Sequence, residues 1–318
     1  MAKRKLSKQQ LNRIAKNQDL DAEVNGVVIS HFGQQLDVEP IGEQAGEAII
    51  RCHQRTNLPA LVTGDRVVWE PGEDGVGIIL SVEERRSVFA RPVFAGAVKA
   101  MAANIDIVLV VIAPIPMPLA NLIDRYLVAI ESLGLQPVII LNKADLQNDC
   151  EDPERLHNLI SMYRELGYSL LEVSAVNGTG LDELRSVLQG HTTVLVGQSG
   201  VGKSSLVNAL GVDEALAQVG DISEFHEKGT HTTTTSRLFH LEGFDLIDSP
   251  GIREFGLGHV SPQDVFDGFI EFRELRGHCK FRDCSHQGEP GCALKSALER
   301  GEIHPNRLAS YYQIIESL

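Results

Sequence analysis

Five short segments of this 318-residue chain would make one nucleotide site if folding brought them together, and they occur in a rotated order. Reading forward there is Asn142-Lys143-Ala144-Asp145, then Ser174-Ala175, then Gly197-Gln198-Ser199-Gly200-Val201-Gly202-Lys203-Ser204. A threonine run at Thr232 to Thr235 and then Asp248-Ser249-Pro250-Gly251 complete the set. A phosphate-binding loop needs a strand before it and a helix after it, because its glycines turn backbone N–H groups inward at a helix N-terminus. Both flanks are present: Thr193-Val194-Leu195-Val196 is apolar and strand-like, and Leu206-Val207-Asn208-Ala209-Leu210 is helical. Segments in a cyclically shifted order can still meet if the fold is shifted in the same way. The order therefore predicts a circularly permuted nucleotide-binding domain.

Each segment carries a distinct piece of chemistry. Within the loop Gly197 to Ser204, extended by Ser205, Lys203 neutralises β and γ phosphate oxygens and the Ser204 hydroxyl ligates Mg²⁺. Asp248 ends the apolar run Leu246-Ile247, where an Asp-x-x-Gly arrangement holds Mg²⁺ directly or through water and offers the Gly251 N–H to the γ-phosphate. One hydroxyl of Thr232 to Thr234, taken here as Thr233, completes the Mg²⁺ shell. The stretch from Gly211 to Thr230, with Gly220 and Gly229 as hinges, reads as a mobile switch. Guanine rather than adenine follows from Asp145: a carboxylate accepts from N1–H and the exocyclic amine of guanine, a donor pair that adenine lacks. Asn142 bonds N7 and ties neighbouring loops, the Lys143 stem covers the ring, and Ser174-Ala175 places a backbone N–H on O6. These parts make a GTPase. An ordinary small GTPase carries the last three segments before the first two.

One position departs from that pattern. A glutamine after Asp-x-x-Gly orients the attacking water in familiar GTPases, and here Ile252 stands there. Slow intrinsic hydrolysis is expected, with His231 in the switch loop as the internal catalytic candidate. The competing readings are a loop histidine with no chemical task and, for the whole chain, an RNA-binding module that senses GTP with little turnover.

The segments around this domain complete the organisation. Short apolar runs at 26–29, 48–51, 65–69 and 77–80, with a hairpin turn at 72–75, predict a five-stranded OB-type barrel over 24–90. Such barrels bind irregular RNA, but Phe32, Trp69 and Phe89 give this one few stacking platforms. Residues 91–258 alternate strands and helices, as a mainly parallel sheet covered on both faces requires. Residues 259–318 are helical, with one helix expected over 262–275 and two short ones after 294. Among them lies Cys279-x4-Cys284-x-His286-x5-Cys292, three thiolates and an imidazole able to close a tetrahedron around one structural zinc. Three of the five cysteines lie in that cluster, which fits metal ligation in a reducing compartment better than disulfides. The net charge of −14 is uneven: residues 1–23 begin with an arm carrying +6 over its first 18 residues, leaving about −20 for the rest. The arm suits either structured RNA or a solvated tail. No signal peptide or membrane span is visible, and a monomeric cytoplasmic protein is expected.

Barrel, permuted G domain and cysteine knuckle in series resemble the ribosome small-subunit-dependent GTPase A family over Val24 to Leu318. The most specific elements are the motif order, His231-Thr232-Thr233-Thr234, Asp248-Ser249-Pro250-Gly251-Ile252-Arg253 and the cysteine spacing. The resemblance implies a GTPase that binds the small ribosomal subunit and its rRNA late in maturation, near the decoding region, and is stimulated by that subunit. It also implies the family's roles for Asn142, Lys143 and Asp145 on guanine, for Gly200, Gly202, Lys203 and Ser204 on phosphate and Mg²⁺, for Cys279, Cys284, His286 and Cys292 on zinc, and for His231 in catalysis.

Overall fold

The computed structural model describes residues 23–33, 35–42, 48–72, 75–92, 98–212, 236–248 and 260–318. The basic arm, the switch stretch after residue 212, His231 and Thr232 to Thr235 lie outside them, as do Gly251, Ile252 and part of the turn at 72–75.

Strands β1 (Gly26–Phe32), β2 (Gln35–Pro40), β3 (Ile50–Gln54), β4 (Arg66–Pro71) and β5 (Gly77–Val82) close a barrel in the order β1-β2-β3-β5-β4-β1. The β3–β5 pair is parallel and the rest antiparallel. The interior is Val28, Leu36, Val38, Cys52, Leu61, Val67, Trp69 and Ile79. Trp69 fills the barrel because two glycines make room for it: a Cβ on Gly26 would lie 2.6 Å from its ring, and one on Gly77 3.0 Å. Trp69 and Phe89 are both buried. Neither is a surface stacking platform, which corrects the sequence reading: Trp69 is needed as core in so small a barrel, and Phe89 packs into the neighbouring core outside it. Strand β2 escapes a search for apolar runs because it alternates, with Leu36 and Val38 inward and Gln35, Asp37 and Glu39 outward.

A hairpin of β6 (Val88–Pro92) and β7 (Val98–Ala103) follows. The second sheet then uses β8 (Ile107–Ile112), β9 (Gln136–Leu141), β10 (Ser169–Glu172), β11 (Thr192–Gly197), β12 (Arg237–Leu241) and β13 (Phe244–Asp248), in the order β10-β9-β8-β11-β13-β12. All neighbours in it are parallel except β12 and β13. β12 also pairs with β1, so sheet and barrel form one eleven-stranded ladder. β8 is buried along its length, as a central parallel strand must be. Its Ile107, Leu109 and Val111 face helices α3 (Leu181–Leu188) and α4 (Lys203–Ala209). Val108, Val110 and Ile112 face α1 (Ala120–Ser132), α2 (Pro153–Glu165) and the C-terminal helices.

The C-terminal region holds α5 (Pro262–Gly268), a 3-10 turn (Ile270–Leu275), α6 (Ala293–Glu299) and α7 (Pro305–Glu316). A reciprocal Ser261–Asp264 capping box starts α5. The single helix expected over 262–275 is broken at Phe269, where ψ is 98°. The break turns the Phe269 ring beneath the Arg307 guanidinium, 4.3 Å away. Gly268 just before it packs so closely on α1 that a Cβ would lie 2.8 Å from the Val128 Cα. Arg307 itself is fully buried and joins three elements: it donates to Glu271 at 2.7 and 2.9 Å and to Asp124 of α1. No helix among the described residues is long and apolar enough to cross a membrane.

Candidate functional site

Adjacent C-terminal ends of β8, β9, β10, β11 and β13 bring together three of the five predicted segments and the described part of a fourth. The loop between β11 and α4 has Gly197, Gly200 and Gly202 at φ of 145°, 82° and 86°, a run that an L side chain would strain. At Gly197 a Cβ would also lie 2.2 Å from the Val111 carbonyl of β8, and at Gly202 2.5 Å from the Asn142 amide. The loop is thus packed against two neighbouring strand ends. Lys203 donates to the carbonyls of Gly197 and Gln198, both at 2.7 Å, which sets its ammonium inside the loop's own curve. Ser199, Ser204 and Ser205 are exposed and Val201 is buried.

Asn142 is the hub. Nearly fully buried, it donates from Nδ2 to the carbonyls of Val201 (3.0 Å) and Gly202 (3.2 Å), and its Oδ1 accepts the Ala175 N–H (3.3 Å). A single amide thereby fastens the phosphate loop, the β9 end and the Ser174-Ala175 loop to one another. Ser174 is buried and accepts the N–H groups of Val176 and Asn177 on its hydroxyl, both at 3.3 Å, which tightens that loop. Lys143 sits in the left-handed region at φ 56° and donates to the carbonyls of Gly200 (2.7 Å) and Ile115 (2.9 Å). Asp145 follows at the start of a 3-10 turn (Ala144–Asp149) and is exposed. Its carboxylate is therefore not desolvated by the protein alone. Ile115, in the proline-rich segment after β8, is a contact the sequence did not disclose, because it acts through its backbone carbonyl.

Asp248 ends β13 beside the phosphate-loop strand, with Val194 level with Ile247 across the parallel β11–β13 pair. The carboxylate therefore arises one strand over and close to the start of the loop. Across β12 and β13, Arg237 is level with Asp248.

The cysteine cluster folds as the spacing predicted. Ligand atoms of Cys279, Cys284, His286 and Cys292 all lie within 4.8 Å of one another. From His286 Nδ1 the three sulfurs are 3.5, 3.8 and 3.6 Å away. Tetrahedral zinc at about 2.3 Å from sulfur and about 2.0 Å from nitrogen puts S and N about 3.5 Å apart, so the donor set fits that ion. Burial holds the His286 imidazole below its usual pKa and hence neutral, the form that ligates. The ring stacks on Phe266 at 5.1 Å, and Cys279 Sγ accepts the Ala293 N–H at 3.3 Å. Both contacts orient ligands toward the cluster centre.

A model of the RsgA GTPase family matches residues 82–258. The small ribosomal subunit biogenesis GTPase RsgA of Pseudomonas putida is 55% identical over 341 aligned positions, covering 100% of this chain and 98% of that one. This chain belongs to the RsgA GTPase family. The family member from Pseudomonas aeruginosa is 58% identical over 303 positions, 94% of this chain and 87% of that one. Among solved structures, YjeQ from Thermotoga maritima superposes with a TM-score of 0.74 at 31% identity, covering 92% of this chain and 98% of that one. YloQ, described as a circularly permuted GTPase, gives 0.70 at 28% identity, covering 92% and 94%. The rotated motif order is thus the arrangement of the family, and the chain is a GTP hydrolase with a permuted G domain between its barrel and its helical region.

Proposed function

We propose that this GTPase binds the small ribosomal subunit and its rRNA late in subunit maturation, and that the bound subunit stimulates hydrolysis of GTP to GDP and phosphate. The observation that carries the reading is the Asn142 hub, which fastens the base-reading and phosphate loops into one rigid site. The Pseudomonas relatives are small ribosomal subunit biogenesis GTPases, which supports this partner and with it a cytoplasmic setting.

In this reading Asp145, Asn142, Lys143, Ser174 and Ala175 take the guanine. The base itself covers the Asp145 carboxylate, so the cost of an unmatched charge falls only on a wrong base. Gly197 to Ser205 take the phosphates: Lys203 exchanges its two loop carbonyls for β and γ oxygens, and Gly251 donates to the γ-phosphate. Ser204, Thr233 and Asp248 would hold Mg²⁺, which would supply charge neutralisation for the phosphates. His231 orients or deprotonates the attacking water, since Ile252 cannot. Cys279, Cys284, His286 and Cys292 hold one structural zinc, Zn²⁺ with no open position. We divide the chain into an arm (1–23), barrel (24–90), G domain (91–258) and zinc-binding region (259–318), acting as a monomer.

Steady-state GTP hydrolysis with and without purified small subunits tests this, with large subunits and Lys203→Ala as controls. Acceleration by small subunits alone is expected, lost in Lys203→Ala and strongly reduced in His231→Ala. No acceleration alongside intact GTP-dependent subunit binding would replace the enzyme cycle with a nucleotide-sensing RNA-binding module.

A further inference from the structure

β12 is the seam between barrel and G domain, and it is gripped at both ends. At its start the Thr63 hydroxyl donates to the Ser236 carbonyl at 3.1 Å, with Thr63 1% and Ser236 8% exposed. At its end His240 lies 2.5 Å from Glu39 of the barrel strand β2 and 2.7 Å from Asp245 of β13. Between these points Ser30 of β1 is level with Arg237, and Arg237 is level with Asp248. A line of three residues therefore runs from the barrel across β12 to the proposed Mg²⁺ carboxylate.

The Thr63 loop is built to be stiff. Asp65, fully buried, accepts Arg85 through both oxygens at 2.7 and 2.8 Å and also accepts the Val62 N–H at 2.7 Å. Gly64 has φ +90° and donates to the Val28 carbonyl at 2.8 Å. Its own carbonyl accepts from Asn104 at 2.8 Å. The Thr63 carbonyl accepts the Ala103 N–H of β7 at 2.9 Å. With these backbone groups of the loop committed, the Thr63 hydroxyl is held where it donates to Ser236. A buried carbonyl that loses its donor keeps the desolvation cost and gains nothing, so β12 would move to find another partner.

We propose that Thr63, assisted by His240, is a positioning residue for GTP hydrolysis: it fixes β12 on the barrel and thereby sets where β13 presents Asp248 to the phosphate loop. This rests on the reading of Asp248 as the Mg²⁺ carboxylate. Thr63 touches neither nucleotide nor metal in this scheme; it acts through the strand pair.

The test is intrinsic GTP hydrolysis and its Mg²⁺ dependence in the full chain, comparing the parent with Thr63→Val, Thr63→Ser and His240→Gln. Valine matches threonine in shape but cannot donate. For Thr63→Val, kcat should fall about tenfold and the half-maximal Mg²⁺ concentration should rise several-fold, roughly what one buried hydrogen bond is worth. GDP affinity in EDTA should stay within about twofold of the parent, Thr63→Ser should restore kcat, and His240→Gln should shift kcat and Mg²⁺ dependence in the same direction. An unchanged kcat and Mg²⁺ dependence in Thr63→Val would overturn the proposal. So would a loss matched by Mg²⁺-free GDP affinity, or one that Thr63→Ser leaves unrepaired. If Trp69 fluorescence shows that Thr63→Val has lost its barrel, folded His240→Gln decides, and parent-like kinetics there would overturn it. Asp248→Asn separates the underlying reading: Mg²⁺ dependence unmoved by that change sinks the role of Asp248 itself.

Discussion

At the level of single side chains, some residues show their proposed task in their type and others only in their partners. Asp145 belongs to the first kind. Asp145→Ala should weaken GDP binding about 100-fold, the loss of two charge-assisted hydrogen bonds, without raising ATP affinity, as nucleotide titration would show. His240 belongs to the second. Hydrogen bonds that its ring donates to Asp245 and then Glu39 hold its pKa up to about 10. Because the folded pKa lies above the unfolded value, its contribution to stability is complete below about pH 6.5 and fades as pH rises toward 10. The ring is half exposed, so the effect is modest. The thermal midpoint of the parent minus that of His240→Gln should be positive near neutrality and approach zero above about pH 10; a difference that persists there would remove the ion pairs as its source.

Among the elements, the C-terminal helices depend on the knuckle more than on their own length. α5 and α6 have seven residues each, too short to persist without packing. Cys292 stands at the N-cap position of α6, and Phe266 of α5 stacks on His286, so the proposed ligands are also the helix joints. Metal analysis should find one zinc per chain. Cys284→Ser should lower zinc content and the helical signal of the region together, with the G domain still binding GDP. Full zinc occupancy in that variant would show that the remaining three donors suffice. The broken helix at Phe269 shows what element reading from sequence misses: nothing in Ile270 to Leu275 forbids a helix, and the break comes from Arg307 and Val128 on other elements.

Across the whole molecule, two junctions among the described residues carry the argument for how the three units hold together. One is β12 between barrel and sheet. The other is Arg307, whose buried charge is matched by Asp124 on the G domain and Glu271 in the helical region. Arg307→Ala should cost about 3–5 kcal/mol, because two carboxylates are left unpaired in the core. Arg307→Met combined with Asp124→Leu and Glu271→Leu should recover most of it, as chemical denaturation would measure. If the triple variant is as unstable as Arg307→Ala, packing rather than charge is the cause.

Sequence alone determined the permuted G domain, the barrel and the spacing that brings Cys279, Cys284, His286 and Cys292 together, and it marked the residues proposed for phosphate and guanine. In each case the information is local: backbone turns demand glycine, metal demands sulfur at short spacing, and strands and helices impose their own periods. Folding decided the rest. Lys143 held by the Ile115 carbonyl, Trp69 and Phe89 spent as core, Thr63 on Ser236 and Arg307 between two carboxylates all join residues far apart in the chain. Such contacts leave no spacing to read, because the partner is chosen by packing and by the need to satisfy each buried polar group once the sheet has formed.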